Sequence, residues 1–251
     1  MPNPVAFNLF GLEVRWYGIL IGIGVILAYE IAKYLAKRMG TLPEVALDDF
    51  LILAVPLGVL GARAWYVLFE WDYYSQHMSE IINIRQGGLA IHGGIMAGIL
   101  VGLVYCKRKG HHFFDLADCI APGLVLAQGI GRWGNYMNGE AHGGPTDLPW
   151  AILVDGVRVH PTFLYESILD LCIFALLFFY VFKRRKFRGQ VFALYGILYS
   201  IGRYFIEGLR TDSLMIGPFR TAQITSILLI IACLVIYVAC GKKEKIIEDP
   251  H

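Results

Sequence analysis

The sequence predicts an all-α polytopic membrane protein of about seven transmembrane helices. Three observations lead there. Apolar residues make up 57% of the chain and charged residues 17%, where a soluble domain carries about a quarter charged. Long apolar runs recur along the whole length. Clusters of Lys and Arg fall between alternate runs, not at random.

A spanning helix needs about 20 mostly apolar residues. On that criterion the spans lie near 16–36, 48–70, 89–106, 116–136, 161–182, 190–210 and 217–240. The first follows Glu13 and Arg15 and precedes Lys33, Lys37 and Arg38, which is not the pattern of a cleaved signal. It is expected to stay in the membrane. The third is short and holds His92-Gly93-Gly94, two glycines that permit close backbone approach or a broken helix. The stretch Trp71–Gly88 before it reads as interfacial or re-entrant. Trp65, Tyr66, Trp71, Tyr73 and Tyr74 form an aromatic belt there. The connection 139–160 is the longest on its side, and Lys245–His251 is a short polar tail. The whole of 1–251 reads as a single integral membrane domain.

Orientation follows from the basic clusters. Lys33, Lys37 and Arg38 follow span 1, and Lys107, Arg108 and Lys109 follow span 3. Lys183, Arg184, Arg185, Lys186 and Arg188 follow span 5, and Lys242, Lys243 and Lys245 follow span 7. All fall on one side, which is therefore cytoplasmic. The amino terminus is expected outside and the carboxyl tail inside. Tyr17, Arg63, His92, Arg132, Asn135, Glu166, Tyr199, Arg203 and Glu207 then share one depth, near the outer ends of six spans. The expectation is a polar cavity open toward the outer leaflet.

Residues 131–143 concentrate the chemistry. They place Arg132, Asn135, Asn138, Glu140 and His142 at the end of an apolar span, where an unpaired polar group costs roughly several kcal/mol. Arginine keeps its charge in apolar surroundings, and its planar fork matches phosphate oxygens. Two readings stand for Arg132 and Arg203: a clamp on a lipid phosphate, or pairing with Glu140, Glu166 or Glu207 that locks helices together. Arg63 and Arg210 are weaker supporting candidates, and Arg210 at the water boundary fits simple snorkelling. His92 fits a general base or a hydrogen-bonding spacer. Asn135 and Asn138 fit donors to phosphate or ester oxygens, or caps of span 4. His160 and His142 lie in the outer loop. Tyr199, Arg203 and Glu207 recur at i, i+4 and i+8, on one helix face.

Some chemistries have no footing in the sequence. The five cysteines, Cys106, Cys119, Cys172, Cys233 and Cys240, form no CxxC pair and sit in or beside apolar runs. No HExxH or comparable ligand spacing is present, so no metal is expected. No cofactor and no nucleic-acid partner is expected either. The nucleophile motif GxSG, the aspartyl motif GxGD and the Asp-rich motif of lipid alcohol phosphotransferases are all missing.

The run Gly131-Arg132-Trp133-Gly134-Asn135-Tyr136-Met137-Asn138-Gly139-Glu140, followed by Gly143, resembles the signature of bacterial prolipoprotein diacylglyceryl transferases. Tyr136 stands where that signature has Phe. Arg15-Trp16-Tyr17-Gly18, His92-Gly93-Gly94, His160-Pro161-Thr162 through Tyr165-Glu166, and Tyr199 to Arg210 are similar to further family pieces, in the same order. The resemblance implies seven spans in the bacterial cytoplasmic membrane. It implies transfer of an sn-1,2-diacylglyceryl group from phosphatidylglycerol to the lipobox cysteine of a preprolipoprotein, with release of glycerol 1-phosphate. It also implies a functional set of Tyr17, His92, Arg132, Asn135, Glu140, Gly143, Arg203 and Glu207. Within it, Arg132 and Arg203 are expected to stabilise the phosphate leaving group, with His92 the candidate base. A transporter or flippase for an anionic lipid or phosphate ester explains the arginines equally well, but not His92 or the ordered signature.

Overall fold

The computed structural model describes residues 3–84, 87–211, 213 and 215–243. Each expected span has a helix: α1 (Trp16–Met39), α2 (Val45–Phe69), α4 (Ile91–Lys109), α5 (Phe113–Met137), α6 (Thr162–Ala175), α7 (Gln190–Glu207) and α8 (Thr221–Lys243). A π-helical turn, Leu176–Val181, and a 3₁₀ turn, Phe182–Arg184, continue α6 to Arg184. Five of these runs are long and apolar enough to cross a membrane: α1, α2, α5, Thr162–Arg184 and α8. The chain is thus a helical membrane protein. The helices α4 and α7 are shorter, at 19 and 18 residues, and carry more polar side chains.

The aromatic stretch after α2 forms a short helix, α3 (Trp71–Tyr74), and a 3₁₀ turn, Met78–Ile82. Among the described residues there are also three two-stranded hairpins that the helical reading did not anticipate. They are β1–β2 (Val5–Leu9, Leu12–Arg15), β3–β4 (Ile152–Val154, Val157–Val159) and β5–β6 (Met215–Ile216, Phe219–Arg220). Asp155-Gly156, both at positive φ, makes the β3–β4 turn, a pairing of residues suited to a two-residue hairpin loop. The polar tail Lys245–His251 lies outside the described residues.

The chain forms two compact units, Met1–Leu35 with Ala117–His251, and Ala36–Leu116. In the second unit α2 and α4 approach through small residues. A Cβ on Gly61 would lie 2.5 Å from the Ala97 methyl and 2.7 Å from the Gly93 carbonyl, and one on Gly94 would lie 3.4 Å from the Gly58 carbonyl. Small residues let membrane helices pack backbone to backbone, where lipid supplies no hydrophobic drive. His92-Gly93-Gly94 therefore marks close approach within an unbroken helix, not a break. At the other end of this pair the Tyr105 hydroxyl donates to Asp49 (3.1 Å), and Lys109 pairs with the same carboxylate at 3.7 Å.

In the first unit α1 and α5 meet along a similar seam. Tyr17, Ile21, Gly24 and Ala28 on α1 face Gly134, Gly131, Ala127 and Gly123 on α5, so the helices run antiparallel. A Cβ on Gly123 would come within 2.5 Å of the Ala28 carbonyl, and one on Gly24 within 3.2 Å of the Ala127 Cα. Trp133 Nε1 donates to Ser167 Oγ (3.1 Å), and Tyr136 stacks on Phe163 with centroids 4.5 Å apart, fixing α5 against α6. The aromatic departure at Tyr136 keeps that stack. Asp118 on α5, fully buried, accepts from the backbone N–H groups of Gly189 and Phe192 at 2.8 Å each and pairs with Arg185 at 3.2 Å. It caps α7 from a distant part of the chain, satisfying N–H groups that a helix start leaves without partners.

Candidate functional site

The site begins where α5 ends. Gly139, at φ +76°, closes the helix. The Gly139 N–H donates to the Tyr136 carbonyl (3.0 Å) and the Glu140 N–H to the Asn135 carbonyl (2.9 Å), the two bonds of a Schellman ending. The tight turn brings the Asn135 amide to the Glu140 carboxylate at 3.3 Å. Ala141 follows, buried and at positive φ, and its carbonyl accepts from Thr162 Oγ1 (2.7 Å) and the Phe163 N–H (3.1 Å). The loop is thereby pinned to the start of α6, one turn before Glu166.

Gly143 is held by its backbone. Its N–H donates to the His160 carbonyl (2.8 Å), and it pairs across an isolated antiparallel bridge with Arg210. A Cβ there would lie 2.7 Å from the Leu209 carbonyl and 2.8 Å from the His160 Cβ. Only glycine passes between the end of α7 and the β4 connection, so the signature's glycine acts here through close approach.

Glu166 is the centre of the network. Its Oε2 lies 2.6 Å from Arg132 Nε, and its Oε1 lies 2.5 Å from Arg203 Nη1 and 3.4 Å from Arg210 Nη1. Arg203 Nη2 reaches Glu207 Oε2 at 2.6 Å, one turn along α7. Arg132 Nη2 donates to the Tyr199 hydroxyl at 3.3 Å. The Glu166 and Glu207 side chains are 4% and 3% exposed, while those of Arg132 and Arg203 are each 20% exposed. The carboxylates are thus buried behind the guanidinium groups. Three arginines meet two glutamates in these pairs. These contacts run through Nε and Nη2 of Arg132 and through Nη1 and Nη2 of Arg203.

Expectation and geometry part in several places. Arg210, a weaker supporting candidate for which snorkelling was the alternative, lies beyond the end of α7, its side chain 12% exposed and paired with Glu166. The helix stops at Glu207, and the following turn brings Arg210 back over α6. Arg63 is occupied elsewhere, within the second unit. Its Nε donates to the Ile81 carbonyl (2.8 Å), its Nη2 to Glu80 (2.7 Å) and its Nη1 to Gly87 (3.1 Å) and Gly88 (2.9 Å). Its guanidinium also lies 5.0 Å from the Tyr74 ring centroid. It ties a loop to α2. His92 stands exposed in the first turn of α4, in the second unit. Tyr17 lies over Gly134, two residues beyond Arg132, with a Gly134 Cβ placed 2.7 Å from its ring. Asn138 keeps a buried Oδ1 without a hydrogen-bond partner, as His142 does its Nδ1.

Two residues escaped the sequence reading. Asp170, one turn below Glu166, is 1% exposed, within electrostatic reach of Arg132, Glu166 and Arg203, and has an Oδ2 without a hydrogen-bond partner. The i, i+4 spacing of two carboxylates in an apolar span was the available signal. Arg220 on β6 donates to the Arg210 carbonyl (3.0 Å), to Ser213 Oγ (3.4 Å) and to the Glu207 carbonyl. It caps the end of α7 with a cation, as helix C-termini favour.

Fold and site together define a helical membrane protein whose apolar helices enclose a cluster of arginines on a shared carboxylate. Residues 4–239 match the family model for prolipoprotein diacylglyceryl transferase. The chain is 54% identical to the phosphatidylglycerol–prolipoprotein diacylglyceryl transferase of Clostridioides difficile strain 630, with 96% of each chain covered. It is 55% identical to the protein of that name from Finegoldia magna, over 95% of this chain and 96% of the relative. It is 45% identical to that of Clostridium novyi, over 97% and 98%. The chain belongs to the prolipoprotein diacylglyceryl transferase family.

Proposed function

We propose that this chain transfers the sn-1,2-diacylglyceryl group of phosphatidylglycerol to the lipobox cysteine thiol of a preprolipoprotein, releasing glycerol 1-phosphate. The relatives' names state the lipid and the prolipoprotein. The observation that carries the reading on this chain is the convergence of Arg132, Arg203 and Arg210 on buried Glu166. Such a site neutralises part of its own charge and keeps donor edges for a phosphate.

In the reaction the thiol sulfur attacks the glycerol C3 carbon. A sulfur–carbon bond forms as the carbon–oxygen bond to phosphate breaks, and its electron pair stays on the phosphate oxygen. Negative charge grows on the leaving phosphate, so arginines fixed in a low-dielectric site favour the transition state over the diester ground state. Arg132 and Arg203 take that role, with Arg210 supporting. Glu166 and Glu207 orient the forks, and Asn135, Asn138, Glu140, Gly143, Tyr17 and Tyr199 shape the lipid site. A free thiol has a pKa of about 8.5, so its ionisation needs a base or a positive field. His92 is that base.

The same proposal includes a single membrane domain with seven spans, α4 and α7 completing the set. The amino terminus is outside, the carboxyl tail is cytoplasmic, and a polar cavity opens toward the outer leaflet of the bacterial cytoplasmic membrane. Purified protein, phosphatidylglycerol and a lipobox peptide provide the test, read by mass spectrometry. A diacylglyceryl adduct on the cysteine is expected. No adduct, together with lipid movement across the bilayer of reconstituted vesicles, would replace the transferase with a flippase.

A further inference from the structure

We propose that the amino-terminal hairpin β1–β2 is a membrane-surface anchor, lying along the plane of the bilayer with one face in the lipid boundary. Its register makes it amphipathic. Leu9 pairs with Leu12, and Phe7 with Val14, while Asn8 pairs with Glu13. Directly paired residues share a face and alternate residues share a face. Phe7, Leu9, Leu12 and Val14 therefore form one side, and Asn8 and Glu13 the other. On the polar side Glu13 pairs with Arg15 at 3.7 Å. On the apolar side Phe7 and Leu9 are 51% exposed and Leu12 is 62% exposed. Val14 is half-buried, and the described residues leave the other three open.

The turn is a second, independent sign. Phe10 and Gly11 both have positive φ, 50° and 84°, the geometry of a two-residue hairpin loop that asparagine or aspartate followed by glycine adopts with least strain. A bulky aromatic residue is disfavoured there. It is nevertheless Phe10, and its side chain is 98% exposed at the tip. A strained backbone that presents a fully exposed phenyl ring points to a role for the ring outside the folded chain.

Lipid is the occupant that the position favours. β2 ends at Arg15 and α1, apolar enough to span, starts at Trp16. The Trp16 N–H donates to the Pro4 carbonyl (3.0 Å), which ties the base of the hairpin to the head of that helix. Four residues of strand reach about 13 Å, whereas the headgroup layer beyond the hydrocarbon is roughly 5–8 Å deep on each side. An upright hairpin would carry Phe10 through the headgroups into water. A hairpin folded down lays Phe7, Leu9, Phe10 and Leu12 on the acyl boundary, continuous with the lipid-facing surface of α1, and leaves Asn8 and Glu13 facing water. Interfacial amphipathic elements bind membranes in this manner.

The anchor is independent of the transfer reaction and is tested without it. An environment-sensitive fluorescent amino acid is placed by codon suppression at Phe10, and in a second protein at Asn8. Each is reconstituted into phosphatidylglycerol–phosphatidylcholine vesicles, with melting temperature checked against the unlabelled chain. The expected result is blue-shifted emission at position 10, quenched severalfold more by nitroxide-labelled lipids than emission at position 8. Equal quenching at both positions, or water-like emission at position 10, overturns the proposal. So does a shift at position 10 that appears only when a lipobox peptide is added, or only at high protein density. Those outcomes assign the face to the peptide or to a second copy.

Discussion

Arg63 and Arg203 are both charged residues on helices of an apolar chain, yet their donors end on different acceptors. Arg63 is 6% exposed and spends its nitrogens on the carbonyls of Glu80, Ile81, Gly87 and Gly88. Arg203 meets two carboxylates, and one of these also holds Arg132 and Arg210. Carbonyl dipoles solvate a cation and saturate its fork, so Arg63 is a staple. Shared carboxylates compensate charge and orient the planar groups while leaving edges for another anion. What a membrane arginine does is read from its acceptors more than from its depth.

Several substitutions break or sharpen this contrast. The largest effect is expected at Glu166, because Glu166→Gln leaves three guanidinium groups around a neutral amide. Breaking a buried charge network from one side costs on the order of 3–5 kcal/mol, so the melting temperature should fall sharply and transfer with it. A melting curve matching the parent protein would show that Glu166 does not organise the cluster. Arg132→Lys keeps the charge and loses the fork. Transition-state stabilisation should drop by about 2–4 kcal/mol, measured as kcat/KM for peptide lipidation, in protein that melts normally.

His92 is the residue of the second unit expected to matter chemically. His92→Gln should slow single-turnover transfer on the order of 10²-fold at neutral pH. As pH rises toward the thiol pKa, about 8.5, more acceptor ionises unaided and the deficit should shrink. A deficit of constant size across that range would remove the base assignment. The smallest effect is expected at Tyr136→Phe, which keeps the stack on Phe163 and should change stability by less than about 0.5 kcal/mol. A larger loss by thermal melting would give the hydroxyl a role of its own.

Much of this arrangement was legible in the sequence. Apolar run lengths located the seven long helices, five of them in runs long and apolar enough to cross a membrane, and the i, i+4, i+8 spacing put Tyr199, Arg203 and Glu207 on one face of α7. Of the carboxylates named as alternative partners of the arginines, Glu166 and Glu207 are the ones they meet, while Glu140 accepts from the Asn135 amide. The fate of Arg63 was hidden because its acceptors are backbone carbonyls of a loop, and every residue offers a carbonyl. The turn that carries Arg210 to Glu166 was hidden because α7 ends before it, and periodicity does not register a helix end that Arg220 caps from a later hairpin. The β1–β2 hairpin was missed because Phe10-Gly11 is not a favoured turn pair. Asp170 was not legible because a carboxylate in an apolar run carries no motif, and its nearness to Arg132 and Arg203 arises only when α5, α6 and α7 pack together.

The most direct test sets Arg203→Lys beside Arg63→Lys, with single-turnover transfer from phosphatidylglycerol to a lipobox peptide measured per folded molecule. Arg203→Lys should melt close to the parent protein and lose about a hundredfold or more in rate, as removal of a transition-state donor does. Arg63→Lys should melt lower, by about 1–3 kcal/mol of stability, and keep its rate once folded. A normal rate in Arg203→Lys with a collapsed rate in folded Arg63→Lys would contradict the division between staple and phosphate site.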